Sequence, residues 1–289
     1  MRYYGAHVTS AGGHENAIVQ AEKYGINSIQ IMPTAPMRWA LKDIDIKQVE
    51  NFVKAQKGSI VKKLLLHCVY LINLAREDKQ MFHLGKMSLV TYLKYIEEIT
   101  KRTTSDDLEV LGVTFHPGSA KDLTPEEGLK RITYGLNWIL EQVPGKSMIL
   151  LESSAGSGAI MGDTLEELAA MREGVEDKSR VGYVLDTQHM FVSGYDWRTD
   201  LEGIVNKIEK TIGLENVKCF HLNDSMMDFE SHKDRHENLG KGKIGLEAIT
   251  AIVNHPKLKN IPFILETPAL KSDKTMGEEI KTLKSIVKE

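Results

Sequence analysis

Short apolar runs rich in β-branched residues punctuate the chain: RYYGAHV (2–8), SIQIM (28–32), KKLLLH (62–67), VLGVTFH (110–116), MILLE (148–152), VGYVLD (181–186), VKCFHL (217–222) and PFILE (262–266). Near-continuous apolar character over so few residues predicts strands buried on both faces. Between them, apolar positions fall at helical spacing in GHENAIVQAEKYG (13–25), SLVTYLKYIEEITKR (88–102), TPEEGLKRITYGLNWILEQV (124–143) and LEGIVNKIEKTIG (201–213). Several of these segments open with Ser or Thr near a Glu and close on Gly, the signals of a capped helix start and a left-handed stop. Strands alternating with helices in this way predict a (β/α)8 barrel, with an open doubly wound sheet as the alternative.

The length of 289 residues and 42% hydrophobic content suffice for one large core. No Pro/Gly/Ser linker or compositional shift marks a boundary, so residues 1–289 are expected to form a single domain. MRYYGAHVTS lacks the charged start and apolar stretch of a signal peptide, and no run approaches the length of a membrane span; the expectation is a soluble, intracellular, unsecreted protein. Cys68 and Cys219 belong to no C-x-x-C pair and read as small buried hydrophobes, and the sequon NDS (223–225) has no meaning without secretion. A net charge of -3 argues, by itself, mildly against a nucleic-acid partner.

The strand ends change that picture. His67, His116, Glu152, Asp186 with His189, His221 and Glu266 all stand at the C-terminal ends of the apolar runs or just beyond them. In a parallel barrel those ends converge on the face that carries the chemistry. SHKDRHENLG (231–240) adds Asp234 and His236, whose i, i+2 spacing puts both on one side of an extended loop. Four carboxylates and five imidazoles crowded into one place require cations, and this mixture of N and O donors suits Zn2+ or Mn2+ better than Mg2+ or Ca2+. More than one ion is implied, an arrangement that serves phosphoester hydrolysis. His7 reads as a supporting or core residue, and His14, His83, His232 and His255 as surface residues. SAGSGAIMG (154–162) mimics a dinucleotide fingerprint, but its glycine spacing is wrong and a helix starts too late.

The segments GAHVTSAGG, HCVYLINLA, TFHPGS, LLESSAGSG, GVEDKSRVGYVLDTQHMFVSGYD, FHLNDS, DRHENLGKGKIG and ILET resemble, in order and from end to end, those of endonuclease IV, the zinc-dependent apurinic/apyrimidinic endonuclease family. The resemblance implies three zinc ions, with Mn2+ acceptable in one site. His67, His116 and Glu152 would hold one; Glu152, as a bridge, with Asp186, His221 and Glu266 a second; His189, Asp234 and His236 the third. It implies hydrolysis of the phosphodiester 5′ to an abasic site, leaving a 3′-hydroxyl and a 5′-deoxyribose phosphate, with repair of blocked 3′ ends as a companion activity. The partner is then double-stranded DNA carrying abasic sites or blocked 3′ ends, bound by a monomer. Three Zn2+ would turn the formal charge to -3 + 6 = +3 before any bound hydroxide is counted, which softens the objection from charge.

Family likeness also marks Tyr70 and Leu71, after His67, as a wedge into the base stack. TAPMRW (34–39) departs from the more basic family pattern; there Met37 is expected to enter the lesion and Arg38 to contact a phosphate, unless Met37 and Trp39 merely pack on the barrel rim. Two competing readings are a sugar-phosphate or keto-sugar isomerase on the same barrel and a DNA-binding protein without catalysis. The first would need a base poised for proton transfer in place of a metal cage. The second would leave the ligand set superfluous.

Overall fold

Eight parallel strands close on themselves in chain order, the last returning to the first through Tyr4 opposite Phe263. That closure decides for the (β/α)8 barrel over the open sheet. The computed structural model describes residues 1–34, 38–40, 42 and 44–288. Along the chain the elements are β1 (Tyr4–His7), α1 (Asn16–Tyr24), β2 (Ser28–Ile31), α2 (Ile46–Gln56), β3 (Lys63–His67), α3 (Lys79–Thr100), β4 (Glu109–Phe115), α4 (Pro125–Gln142), β5 (Ile149–Glu152) and α5 (Leu165–Glu173). Then come β6 (Val181–Asp186), α6 (Thr187–Val192), α7 (Leu201–Thr211), β7 (Val217–His221), β8 (Asp224–Ser225), β9 (His236–Glu237), α8 (Gly245–Asn254), β10 (Phe263–Leu265) and α9 (Asp273–Ile286). The short β8 and β9 pair antiparallel outside the barrel.

Local chemistry explains the helix limits. Thr124 and Glu127 form a reciprocal capping box at the start of α4, and Gly25 closes α1 at φ 62°, a conformation that glycine adopts without a Cβ penalty. Asp78 caps α3, so that helix begins at Lys79 rather than at the apolar pattern opening on Ser88. Lys86 hides the earlier turns from a reading by hydrophobicity: it is buried, with its ammonium 4.0 Å from the ring centroid of Trp138.

Strand side chains alternate, and here the alternation builds the site. Leu65, Leu111, Leu150, Val184, Cys219 and Ile264 form a buried cluster separate from the larger core between strands and helices. It is the interior plug of the barrel, the layer of branched side chains expected there. On β3, β5, β6, β7 and just beyond β10, the residue two positions after each plug residue is His67, Glu152, Asp186, His221 and Glu266. Period two therefore puts all five above the plug, at the mouth. Beside them β1 and β2 approach closely: a Cβ on Gly5 would lie 1.6 Å from the Ser28 carbonyl oxygen.

Candidate metal centre

The remaining four residues of the set reach the mouth from the connections. His116 follows β4 directly, and His189 lies on the short helix α6, whose N-cap is Asp186. Asp234 and His236 arrive on the β8–β9 hairpin, where His236 pairs with Ser225. Asp224 anchors that hairpin to the following loop, its carboxylate accepting from the backbone N–H groups of Gly240, Gly242, Ile244 and Gly245.

Three clusters of donors result. In the first, Glu152 Oε2 lies 3.2 Å from His67 Nε2 and 3.8 Å from His116 Nε2. In the second, His221 Nδ1 lies 2.8 Å from Glu152 Oε1, 3.3 Å from Glu266 Oε2 and 4.0 Å from Asp186 Oδ2. Glu152 thus faces both, one oxygen each. The third gathers Asp186, His189 and His236, with Asp186 Oδ2 3.5 Å from His236 Nε2. Asp234, expected as the carboxylate of that triad, is present too, its Oδ1 3.3 Å from His189 Nε2 and 3.5 Å from His236 Nε2, but it is the more exposed partner.

The imidazoles are held from behind. His67 Nδ1 donates to the Cys68 carbonyl at 2.7 Å, His189 Nδ1 to the Ser153 carbonyl at 2.9 Å and His236 Nδ1 to the Glu266 carbonyl at 3.3 Å. Each bond turns Nε2 toward the mouth. The Nε2 atoms of His189 and His236 are buried there without a hydrogen-bond partner. Buried polar atoms are nearly always paired, so two orphaned imidazole nitrogens facing carboxylates fit a cation. Asp186 is fixed as well: Oδ1 accepts from the N–H of Gln188 and His189, and Oδ2 from Asn223 Nδ2 at 2.7 Å. Asn223, read in the sequence only as part of a sequon, also accepts the Glu266 N–H at 2.9 Å.

Electrostatics show the same need for positive charge. Burial opposes ionisation of Glu152, yet His116, His221 and His67 hold its carboxyl well below the usual range. Glu266 is likewise depressed against burial, by His221 and its neighbours. Burial alone would lower His221, but Glu266 and Glu152 push it up to about 9; against burial again, Asp186 with Asp234 raise His189 well above its ordinary value. His116 goes the other way, lowered chiefly by desolvation. Without metal, protons on the imidazoles stand in for the cations that the carboxylates require.

The other expected residues divide. Tyr70 is exposed at the rim, its ring centroid 5.6 Å from that of His67, and Leu71 is half-buried against the core. Arg38 is exposed and Trp39 packs on the core, whereas Met37 lies outside the described residues. His7 sits beside the centre, its Nδ1 3.9 Å from Glu266 Oε1. His83 and His232 are exposed, but His14 and His255 are buried, contrary to expectation. His14 bonds the Tyr95 hydroxyl and His255 the Glu202 carboxylate at 3.0 Å, partners distant in sequence that no local pattern announces. Both cysteines are free and buried. The glycine-rich segment 154–162 folds back on itself, Ser154 N–H to Gly162 carbonyl, and α5 starts only at Leu165. No helix among the described residues is long and apolar enough to cross a membrane.

The model of the family described as xylose isomerase-like TIM barrel matches residues 18–286. A protein of Clostridium botulinum named probable endonuclease 4 is 37% identical over 289 residues, covering 100% of both chains. One of the same name from Methanosphaera stadtmanae is 35% identical, covering 98% of this chain and 99% of its own. Among solved structures, endonuclease IV from Thermus thermophilus superposes with a TM-score of 0.85 at 30% identity, covering 99% of this chain and 98% of the other. A D-psicose 3-epimerase shares the fold at a TM-score of 0.66 and 15% identity, over 99% of this chain and 98% of its own.

Proposed function

The chain belongs to the endonuclease IV family of DNA-repair AP endonucleases, and we propose that it hydrolyses the phosphodiester 5′ to an abasic site with three divalent ions, zinc foremost. One observation carries the reading: eight imidazole and carboxylate residues meet at the barrel mouth in three clusters, with Asp234 beside the third and buried imidazole nitrogens left unpaired. His67, His116 and Glu152 would hold one ion; Glu152, Asp186, His221 and Glu266 a second; His189 and His236 with Asp234 the third, Asp186 lying close enough to share. Bound there, the ions would lower the pKa of water and neutralise charge on the phosphate.

The chain's own residues do the positioning. Glu152 ties two clusters together, so its carboxylate sets their spacing. Backbone carbonyls behind His67, His189 and His236 fix which nitrogen faces the mouth and would hold an ion. Tyr70, exposed beside His67, would enter the stack at a lesion together with the half-buried Leu71; Arg38 would meet a phosphate from the loop after β2. In the hydrolysis, the oxygen of water joins phosphorus and the P–O3′ bond breaks. A proton goes to the departing oxygen, which leaves a 3′-hydroxyl and a 5′-deoxyribose phosphate. Release of blocked 3′ ends breaks the same P–O3′ bond, with the 3′-oxygen again departing and the blocking group carried away on the phosphate. The enzyme acts as a monomer inside the cell in this proposal.

The test is a duplex with a single abasic site. Zinc-loaded protein should nick it 5′ to the lesion, the chelated protein should not, and an intact duplex should survive both. Cleavage that persists after chelation and dialysis would overturn the metal reading, and no cleavage by protein shown to contain zinc would overturn the activity.

A further inference from the structure

Gln30 lies fully buried on β2, level with His7 of β1 and Leu65 of β3, yet its amide reaches across the mouth. Its Nε2 is 2.5 Å from Glu266 Oε1 and 2.9 Å from His7 Nδ1, and its Oε1 is 2.7 Å from His221 Nε2. The orientation of the amide follows from its partners. An ionised carboxylate only accepts, so the side of the amide facing Glu266 must be the NH2. The carbonyl oxygen then faces His221, and since that oxygen only accepts, His221 Nε2 must carry a hydrogen. As a metal ligand the imidazole is neutral and has one N–H. Its lone pair is therefore on Nδ1, the atom that faces Glu152, Glu266 and Asp186.

This arrangement is the reverse of His67, His189 and His236, which take their tautomer from a backbone carbonyl on Nδ1 and present Nε2. His221 takes its tautomer from a side chain. The same amide donates to Glu266, so two members of one cluster hang on one residue.

We propose that Gln30 is a positioning residue for the Glu152–Asp186–His221–Glu266 cluster, holding His221 as the Nε2–H tautomer and Glu266 at the matching position so that both present lone pairs to the same cation. The inference rests on the metal reading given above. It assigns Gln30 no contact with substrate.

The experiment compares the parent with Gln30→Met, which keeps length and apolar volume but neither accepts nor donates as an amide does. Zn2+ is titrated into each metal-free protein against a competing chelator. One ion of the set should lose roughly 10–100-fold in affinity while the others bind as in the parent, the size of effect seen when a residue orienting a ligand is removed. In 15N-histidine spectra of the zinc-loaded proteins, the His221 signal should show a hydrogen-bonded Nε2–H in the parent, and that signature should be lost in the variant. Ser28→Ala, buried on the same strand with its hydroxyl on Asn27, should change neither readout. Unchanged zinc affinity in folded Gln30→Met overturns the proposal. Should that variant fail to fold, Gln30→Glu decides: it still accepts from His221 but cannot donate to Glu266, so parent-like zinc affinity overturns the proposal and selective loss supports it. A parent that binds no zinc removes the metal reading itself, a result distinct from either.

Discussion

Replacing Glu152 by Gln keeps shape and removes one charge from the place where two clusters meet. The carboxylate is fully buried and lies 3.2, 3.8, 2.8 and 4.0 Å from nitrogens of His67, His116, His221 and His189. A unit charge pair near 4 Å at an effective dielectric of about 20 is worth roughly 4 kcal/mol, which corresponds to about three powers of ten in a rate or binding constant. The amide oxygen can still face one cluster, but its NH2 offers no lone pair to a cation at the other. Glu152→Gln should therefore remain folded by circular dichroism, retain fewer ions by elemental analysis, and cleave an abasic duplex about a thousandfold more slowly even at saturating zinc. The assay is single-turnover cleavage, which separates the chemical step from product release. Turnover and zinc content both equal to the parent's would refute the shared role of Glu152.

Metal-free protein should be most stable near pH 5 to 6.5. His221, raised from 6.5 to about 9, contributes stability that is complete below 6.5 and lost as the pH climbs through about 9, roughly 3 kcal/mol in all. Glu152 and Glu266, depressed below 4.5, contribute above that value and lose the contribution as the pH falls through their folded values, so melting scans from pH 3 to 10 should trace a dome whose alkaline side flattens when zinc is added. Replacing Tyr70 and Leu71 together by Ala should weaken binding to abasic duplex more than to intact duplex in anisotropy titrations, and equal losses would count against a wedge. Asp224→Ala should cost about 3 kcal/mol or more in urea unfolding, because four backbone N–H groups lose an anionic acceptor; a loss below about 1 kcal/mol would show that water replaces it.

Strand and helix periodicity determined the barrel. The apolar runs were near-continuous because the strands are buried on both faces, and polar residues at their ends were visible because period two carries each strand from plug to mouth. His67, Glu152, Asp186, His221 and Glu266 could thus be marked from one dimension, as could His116 and His189 just beyond. Periodicity could not divide them into clusters, a division that only the family resemblance implied, since the spacing of ligand atoms depends on barrel closure; Asp186 therefore faces His236 of the third cluster as well as His221 of the second. Burial of His14 and His255 was likewise decided by partners far along the chain, Tyr95 and Glu202. Gln30 shows the limit most plainly. In SIQIM it is one polar residue in an apolar strand, with no spacing or charge to single it out. Only closure of the sheet, which brings β2 within hydrogen-bonding reach of residues at the ends of β7 and β10, turns it from an interruption in a pattern into the residue that faces His221 and Glu266 together.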